Sequence, residues 1–154
     1  MLGPLLEDPA IGVVAQNAKY EDVIFRRHGV RIANAAFDPM LASYLLRGEG
    51  RGHGLDALAR EILGRGTITY EQVTEKARGH QLAFGEVAVE RATQYAGEDA
   101  EVALALADAM APMIEGQGLS RLLHEVEIPL ERVLAGMELA GIAVPREMTG
   151  RSLM

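Results

Sequence analysis

The residues best suited to chemistry are Tyr95 and Asp99, which stand one turn apart on a long predicted helix. Apolar residues recur every three or four positions from Arg91 to Met113, and both side chains fall within that stripe. A carboxylate on a core-facing stripe must be paired, protonated or bound to a metal ion. The spacing lets the Tyr95 hydroxyl reach the same point as the carboxylate. The alternative is that Asp99 lies at the rim of the stripe, hydrated or paired with an arginine.

A second polar group, residues 16–22 (QNAKYED), follows a short apolar run. Polar side chains at the carboxyl end of a parallel strand stand where open α/β sheets bind ligands. Glu21 and Asp22 also lie in the first turn of a predicted helix, where negative charge is favourable by itself. A ligand-binding interpretation and a purely structural one are both open for these two acids.

The elements that must position these residues begin with a parallel β–α–β unit. In chain order, the first half predicts a strand over 11–15, a helix over 20–28, a strand over 30–37 and a helix over 40–46. Asp38 is a good N-cap and Pro39 a good first residue for the last of these helices, in which Tyr44 is expected to face the core. Two parallel strands do not make a stable sheet by themselves, so further elements are expected to extend or cover it.

The second half of the chain is predicted to be helical after a glycine-rich loop over 48–54 (GEGRGHG). The predicted helices cover 55–63, 70–76, 86–114 and 119–140. Pro112 is expected to break the third of them, and Gly141 to end the fourth.

The composition fits one domain, or one domain with a short appendage. The 154 residues are 49% hydrophobic and 24% charged, which is a normal globular balance. No cysteine is present, which excludes disulfides, thiolate zinc sites and a cysteine nucleophile. No apolar run approaches the ~20 residues that cross a bilayer, so a cytoplasmic protein with no membrane partner is expected.

The net charge of −7 is concentrated in one segment. Residues 86–115 hold seven aspartates or glutamates and one arginine, whereas the rest of the chain is nearly balanced. A protein that coats duplex DNA would show a basic stripe instead. The acidic block suits either metal binding or a solvated helix face.

Five segments, in order and with matching spacing, resemble the 3′–5′ exonuclease domain of bacterial DNA polymerase I. Four are 16–20 (QNAKY), 36–41 (AFDPML), 52–59 (GHGLDALA) and 95–102 (YAGEDAEV), and a fifth over 128–142 resembles the lead into the polymerase domain. The resemblance implies an α/β, ribonuclease H-like fold that is truncated at its N-terminus and mostly helical, with a small parallel sheet remnant. It also implies a partial exonuclease domain over 1–115 and a helical start of the polymerase domain over 116–154.

The resemblance further implies a site for two divalent ions, Mg²⁺ or Mn²⁺. Asp99 matches a metal ligand, and Tyr95 matches the residue that orients the attacking water. Glu21 stands where the family usually has a metal-linked aspartate, and its side chain is one methylene longer. The family's first motif, an aspartate and a glutamate on the opening strand, is expected before Met1. The metal site of this chain is therefore expected to be incomplete, and its activity impaired.

Contacts with single-stranded DNA follow from the same resemblance. Asn17 and Tyr20 match residues that contact the 3′-terminal nucleotides. Tyr70 matches an aromatic residue near the path of the strand, where base stacking on an aromatic ring is worth ~1–3 kcal/mol. Arg51 is expected to contact phosphate, although the family's arginine often falls one place later, at Gly52. Ordinary half-buried packing is the alternative for the two tyrosines.

The function implied by the resemblance is two-metal phosphodiester hydrolysis at DNA 3′ ends beside templated synthesis. The implied partners are a single-stranded DNA 3′ end and the remainder of a polymerase chain. A catalytically inactive structural or DNA-binding module of a polymerase is the first alternative. A ribonuclease D-like exonuclease is the second, and the match over 128–142 argues against it.

Overall fold

The computed structural model describes residues 2–49, 52–75 and 81–141, which are mostly helical around one small sheet. Its helices and strands are α1 (Gly3–Leu6), β1 (Val13–Val14), α2 (Ala18–Arg27), β2 (Ala35–Phe37), α3 (Pro39–Arg47), α4 (Leu55–Leu58), α5 (Tyr70–Val73), α6 (Val89–Gly116), α7 (Ser120–Leu122) and α8 (Ile128–Ala140). Single π-helical turns continue α4 and α7, and a 3₁₀ turn precedes α6. The centre of the glycine-rich loop, the end of the helix predicted over 70–76, and all residues after 141 lie outside the described residues.

The predicted parallel pairing of the two strands is confirmed, although both strands are shorter than predicted. Val13 pairs with Ala35 and Val14 with Phe37, with an irregularity between the two pairs. The segment before β2 bonds elsewhere, since the Ala33 amide donates to the Leu6 carbonyl at 2.8 Å. This bond fixes α1 against the segment before β2.

Asp38 caps α3 as predicted. Its carboxylate accepts hydrogen bonds from the amides of Met40 at 2.7 Å and Leu41 at 3.4 Å. The second oxygen accepts from the Ala18 amide at 2.7 Å, so the same buried carboxylate joins the starts of α2 and α3. The expectation that Tyr44 faces the core is wrong. One face of the ring covers the buried His53 imidazole, with 3.7 Å between ring centroids. The rest of the ring is exposed to solvent because it lies on the outer side of this stack.

The core lies between α6 and the helices on either side of it in the chain. Its buried apolar residues are Phe37, Ala42, Leu58, Ala59, Val102, Leu106, Ala107, Met110, Ile114, Leu123 and Ile128. The expected break at Pro112 is wrong, and α6 runs through it to Gly116. Pro112 is exposed, and the burial of Met110 and Ile114 on either side of it offsets the loss of one backbone hydrogen bond. Among the residues described, no helix combines the length and apolarity that a bilayer-spanning segment needs.

A buried polar interface joins α2 to α8. Glu131 of α8 is buried and hydrogen-bonded to the Asp38 carboxyl group. Burial, the hydrogen bond with Asp38 and the negative charge of Asp38 raise the pKa of Glu131 to about 9. Glu131 is therefore protonated at neutral pH and donates a hydrogen bond to the Asp38 carboxylate. Nearby, the buried Asp22 carboxylate forms an ion pair with Arg26 at 2.5 Å.

Candidate active site

Helix α6 carries Tyr95 and Asp99 at the point where its apolar stripe leaves the core. The stripe is buried from Val102 to Met110, and Tyr95 and Asp99, which precede this buried part, are half-buried. Their side chains share a hydrogen bond, as the spacing of four residues predicts. Within the part of the chain that the structure describes, no arginine forms an ion pair with Asp99. The alternative of a rim carboxylate neutralised by arginine therefore has no support from these residues.

A cavity of about 580 Å³ brings the first strand and α6 together. Its polar lining comes from Gln16 just after β1, Glu21 in the first turn of α2, and Tyr95 and Asp99 of α6. The side chains of Val13 and Val14 contribute part of its apolar wall. The two acids predicted as metal ligands thus face one cavity although 78 positions separate them in the chain.

Burial in this cavity disfavours the ionised forms of Glu21 and Asp99. Burial raises the pKa of Glu21. Burial also raises the pKa of Asp99, an effect that the Tyr95 hydrogen bond opposes and the charges of Asp56 and Glu98 reinforce. Burial and the neighbouring Asp99 charge raise the pKa of Tyr95 to about 12, so its hydroxyl is protonated at neutral pH. A bound cation would offset the cost of burying these carboxylates and the repulsion of Asp99 by Asp56 and Glu98.

A row of three aromatic rings borders the cavity. Phe84 stacks on Tyr70 with 6.1 Å between ring centroids, and it meets the Tyr95 ring edge-on at 5.9 Å. Tyr70 and Phe84 are both partly exposed to solvent. The row therefore offers flat apolar surface beside the predicted catalytic pair. Sequence reasoning missed Phe84, because it falls at the end of a stretch without helical or strand periodicity.

The acidic block of α6 is divided between two tasks. The Glu98 carboxylate accepts a hydrogen bond from the Ile68 amide at 2.5 Å, and Glu101 pairs with Arg65 at 2.5 Å. Both contacts fasten the segment that leads into α5, which begins at Tyr70. Of the three acids from 98 to 101, only Asp99 lines the cavity.

Two of the other predicted site residues, Asn17 and Tyr20, lie at the start of α2. Asn17 has a left-handed backbone with φ of 58° just before α2, and Tyr20 is 57% exposed on that helix. Tyr70 is 45% exposed, and this degree of exposure of the two tyrosines agrees with DNA contact and with half-buried packing alike. Arg51 lies outside the described residues. Asp22 turns into the α2–α8 interface, so it does not replace Glu21 in the cavity.

Gln16 lines the cavity, although the sequence analysis assigned it no individual role. Its side-chain amide donates a hydrogen bond to the His53 carbonyl at 2.7 Å, which holds the end of β1 against the loop before α4. Its position at the carboxyl end of a parallel strand was the signal that pointed to it.

The donor set for a divalent cation is partial. Carboxylate oxygens are the ligands that Mg²⁺ and Mn²⁺ prefer, and Glu21 and Asp99 supply them in one cavity. Among residues 2–49, 52–75 and 81–141, no group of three or more histidines, aspartates or glutamates is placed to hold a metal ion. The two carboxylates fit as part of a metal site that needs further ligands.

Comparison with known proteins gives consistent matches. The sequence pattern of a 3′–5′ exonuclease family matches residues 1–115. DNA polymerase I of Rhizobium leguminosarum is 38% identical over 150 residues, and that of Pseudomonas aeruginosa is 40% identical over 152 residues. Each alignment covers 97% of this chain but only 15% and 16% of the respective relative. DNA polymerase I of Borreliella burgdorferi is 31% identical over 135 residues, 88% of this chain and 14% of that protein.

Proposed function

Because the chain belongs to the 3′–5′ exonuclease family of bacterial DNA polymerase I, we propose that it contributes to a site that hydrolyses phosphodiester bonds at DNA 3′ ends. One observation carries the proposal: Glu21, Tyr95 and Asp99 come from two separate helices and line one cavity. The chain spans about 15% of the length of the curated relatives it matches. Nuclease activity and templated synthesis by a whole polymerase are therefore part of the proposal.

A divalent cation, Mg²⁺ or Mn²⁺, would be held in part by Asp99 and Glu21. Bound there, it would supply an activated water and stabilise negative charge on the scissile phosphate. The raised pKa values of both carboxyl groups support this role, since a cation would stabilise their ionised forms. We expect the remaining ligands to come from polypeptide that the relatives carry outside the matched stretch.

Tyr95 would orient the attacking water by hydrogen bonding. A hydroxyl with a pKa of about 12 stays protonated at neutral pH, so it can donate one hydrogen bond and accept another. The Asp99 carboxylate accepts a hydrogen bond from the hydroxyl and thereby fixes the direction of the oxygen lone pairs. Removing the hydroxyl would leave the cavity open but its water unoriented.

The path of the DNA strand would run along the exposed aromatic surface. Tyr70 and Phe84 offer ring faces for stacking of unpaired bases, which tolerates any sequence. Asn17 and Tyr20 stand at the start of α2, next to Glu21, where they would contact the terminal nucleotides. Arg51 would contact phosphate.

We also propose a division at residue 115, with a partial ribonuclease H-like exonuclease domain before it and the helical start of a polymerase domain after it. Helix α8 supports the second part of this proposal. Its outward face exposes large apolar side chains, namely Leu130, Val133, Leu134 and Met137. A helix that keeps such a face in solution is costly, so the remainder of a polymerase chain would pack against it.

A catalytically inactive structural or DNA-binding module is the second candidate function. The partial carboxylate set favours it, as does glutamate at position 21. Such a module would still present the aromatic surface to single-stranded DNA. It differs from the nuclease in one measurable respect, because it need not bind a divalent cation.

The proposal is tested with a single-stranded oligonucleotide carrying a 5′ label, incubated with Mg²⁺ or Mn²⁺. Shortening that requires metal and disappears in Asp99→Asn supports the nuclease. The matched control is Asp108→Asn, an exposed acid on the same helix, which should retain activity. Calorimetry with Mn²⁺ separates the two candidates: binding lost in Asp99→Asn supports the metal site, and no binding with intact DNA affinity supports the inactive module. Preference for RNA ends would instead favour a ribonuclease.

A further inference from the structure

A second cavity, of about 460 Å³, collects positive charge in a chain whose net charge is −7. It lies between α1, the end of α2, the segment before β2, and α8. Three arginines and one acid line it: Arg26, Arg31, Arg132 and Glu7. It shares Ile32 with the cavity of Tyr95 and Asp99 but none of that cavity's polar residues. The two cavities are therefore neighbouring but chemically distinct.

Arg26 is the most buried of the three cations. Its side chain is 19% exposed and forms an ion pair with Asp22 through one terminal nitrogen. Its Nε atom is buried and has no hydrogen-bond partner among the described residues. A buried N–H without an acceptor is unfavourable, so an acceptor bound in the cavity would satisfy it.

Arg132 is fixed in place by the backbone. Its guanidinium donates hydrogen bonds to the carbonyls of Ile32, at 2.9 Å, and Ala33. Neutral carbonyls position this group without cancelling its charge. The cation is thus held at the rim of the cavity by the chain segment before β2, with its remaining N–H groups available.

Arg31 and Glu7 complete the charge distribution. The Glu7 carboxylate accepts a hydrogen bond from the backbone amide of Arg31 at 3.3 Å. The Arg31 side chain is exposed and has no ion-pair or hydrogen-bond partner in the described ranges. Three guanidinium groups therefore stand against two carboxylates, Glu7 in the lining and Asp22 paired with Arg26, which leaves an excess of one positive charge at the cavity.

We propose that this cavity binds a phosphate group, carried either by a free phosphate compound or by a nucleic acid strand. Planar guanidinium groups match the oxygens of phosphate in pairs, and a cluster of arginines is the usual protein solution for binding this anion. A cavity of this volume also has room for the sugar that accompanies a nucleotide phosphate. The inference is independent of the proposed nuclease site, because it uses none of its residues.

The test measures binding of inorganic phosphate by calorimetry and by the midpoint of thermal unfolding, at constant ionic strength and with EDTA present. Phosphate should bind and raise the midpoint, since a ligand of the folded state stabilises it. Arg31→Glu should weaken binding about tenfold or more, because it replaces an exposed cation with an anion. Arg27→Ala, which removes an exposed arginine at the end of α2 and outside the cavity, should bind phosphate like the parent.

Two outcomes overturn the proposal: no binding of phosphate, or equal weakening by Arg31→Glu and Arg27→Ala, which would show diffuse attraction. A short single-stranded oligonucleotide that displaces phosphate identifies nucleic acid as the source. Displacement by a nucleoside monophosphate alone identifies a small compound. Asp99→Asn should leave phosphate binding unchanged, so failure of the nuclease proposal and failure of this one are distinguished.

Discussion

Replacing Glu131 by glutamine is expected to flatten the pH dependence of stability. The folded chain keeps the Glu131 proton up to a pKa of about 9, whereas the unfolded chain releases it above the ordinary value of 4.5. Between these values the folded state binds more protons, so its stability falls as pH rises. One pKa unit corresponds to ~1.4 kcal/mol, which gives a loss of about 2.5 kcal/mol between pH 5 and pH 7.

Glutamine tests this reasoning because its amide can donate the same hydrogen bond to Asp38 and has no proton to lose. The free energy of unfolding of Glu131→Gln, relative to the parent, should therefore increase by about 2.5 kcal/mol from pH 5 to pH 7. Urea unfolding followed by circular dichroism at several pH values measures the difference. Glu115→Gln, at an exposed acid in the last turn of α6, controls for the loss of one negative charge.

The opposite trend would refute the protonated state of Glu131. Four charged groups face it from the elements packed around it: Lys19 and Asp22 of α2, Asp38 before α3, and Arg132 of α8. If Glu131 were ionised and paired with Lys19 or Arg132, glutamine would weaken the fold at pH 7 and the weakening would lessen on acidification. A difference that does not change with pH would equally contradict the shared proton.

Three further results are expected. Asp99→Asn should lower the pKa of Tyr95 from about 12 toward 10.0, because the opposing charge and hydrogen bond disappear while burial remains; ultraviolet titration against a Tyr95→Phe control measures it, and an unchanged value would deny the contact. Gly12→Ala should destabilise the chain by roughly 1–3 kcal/mol, since its Cβ would lie 2.9 Å from a side chain of β2; Gly54→Ala, with open space around it, is the control in urea unfolding, where equal effects would exclude the clash. Leu106→Ala should reduce the free energy of unfolding by about 2–5 kcal/mol, as the side chain is fully buried in the core; a loss below 1 kcal/mol, on the order of a surface substitution, would contradict that burial.

Local signals predicted the parts of the fold that depend on neighbours in the chain. Asp38 followed by Pro39 marks the start of α3, because a cap and a fixed φ act within a few residues. Periodicity placed Tyr95 and Asp99 on one face of α6 for the same reason. The same argument applied to α8 would have found Glu131, which shares a buried face with Ile128 and Ala135.

Contacts between distant elements were beyond such reasoning. Nothing local joins Glu21 to Asp99, and only resemblance brought them together before the structure did. Tyr44 was expected in the core because apolar character was weighed without the His53 ring that it covers. Pro112 was expected to break α6 because its missing amide was weighed without the burial of the residues around it. In each case tertiary packing outweighs the local preference.

The contacts of Glu98 and Glu101 affect how a mutational scan of the acidic residues of α6 should be interpreted. Because Glu98 and Glu101 anchor the strip that delivers Tyr70, changing either one would shift an aromatic ring rather than remove a ligand. Loss of function at Glu98, Asp99 and Glu101 would look like a continuous patch of catalytic charge. Glu98 and Glu101 have a structural role, whereas Asp99 is the predicted metal ligand. Separate measurements of DNA affinity and of turnover would distinguish the two kinds of residue.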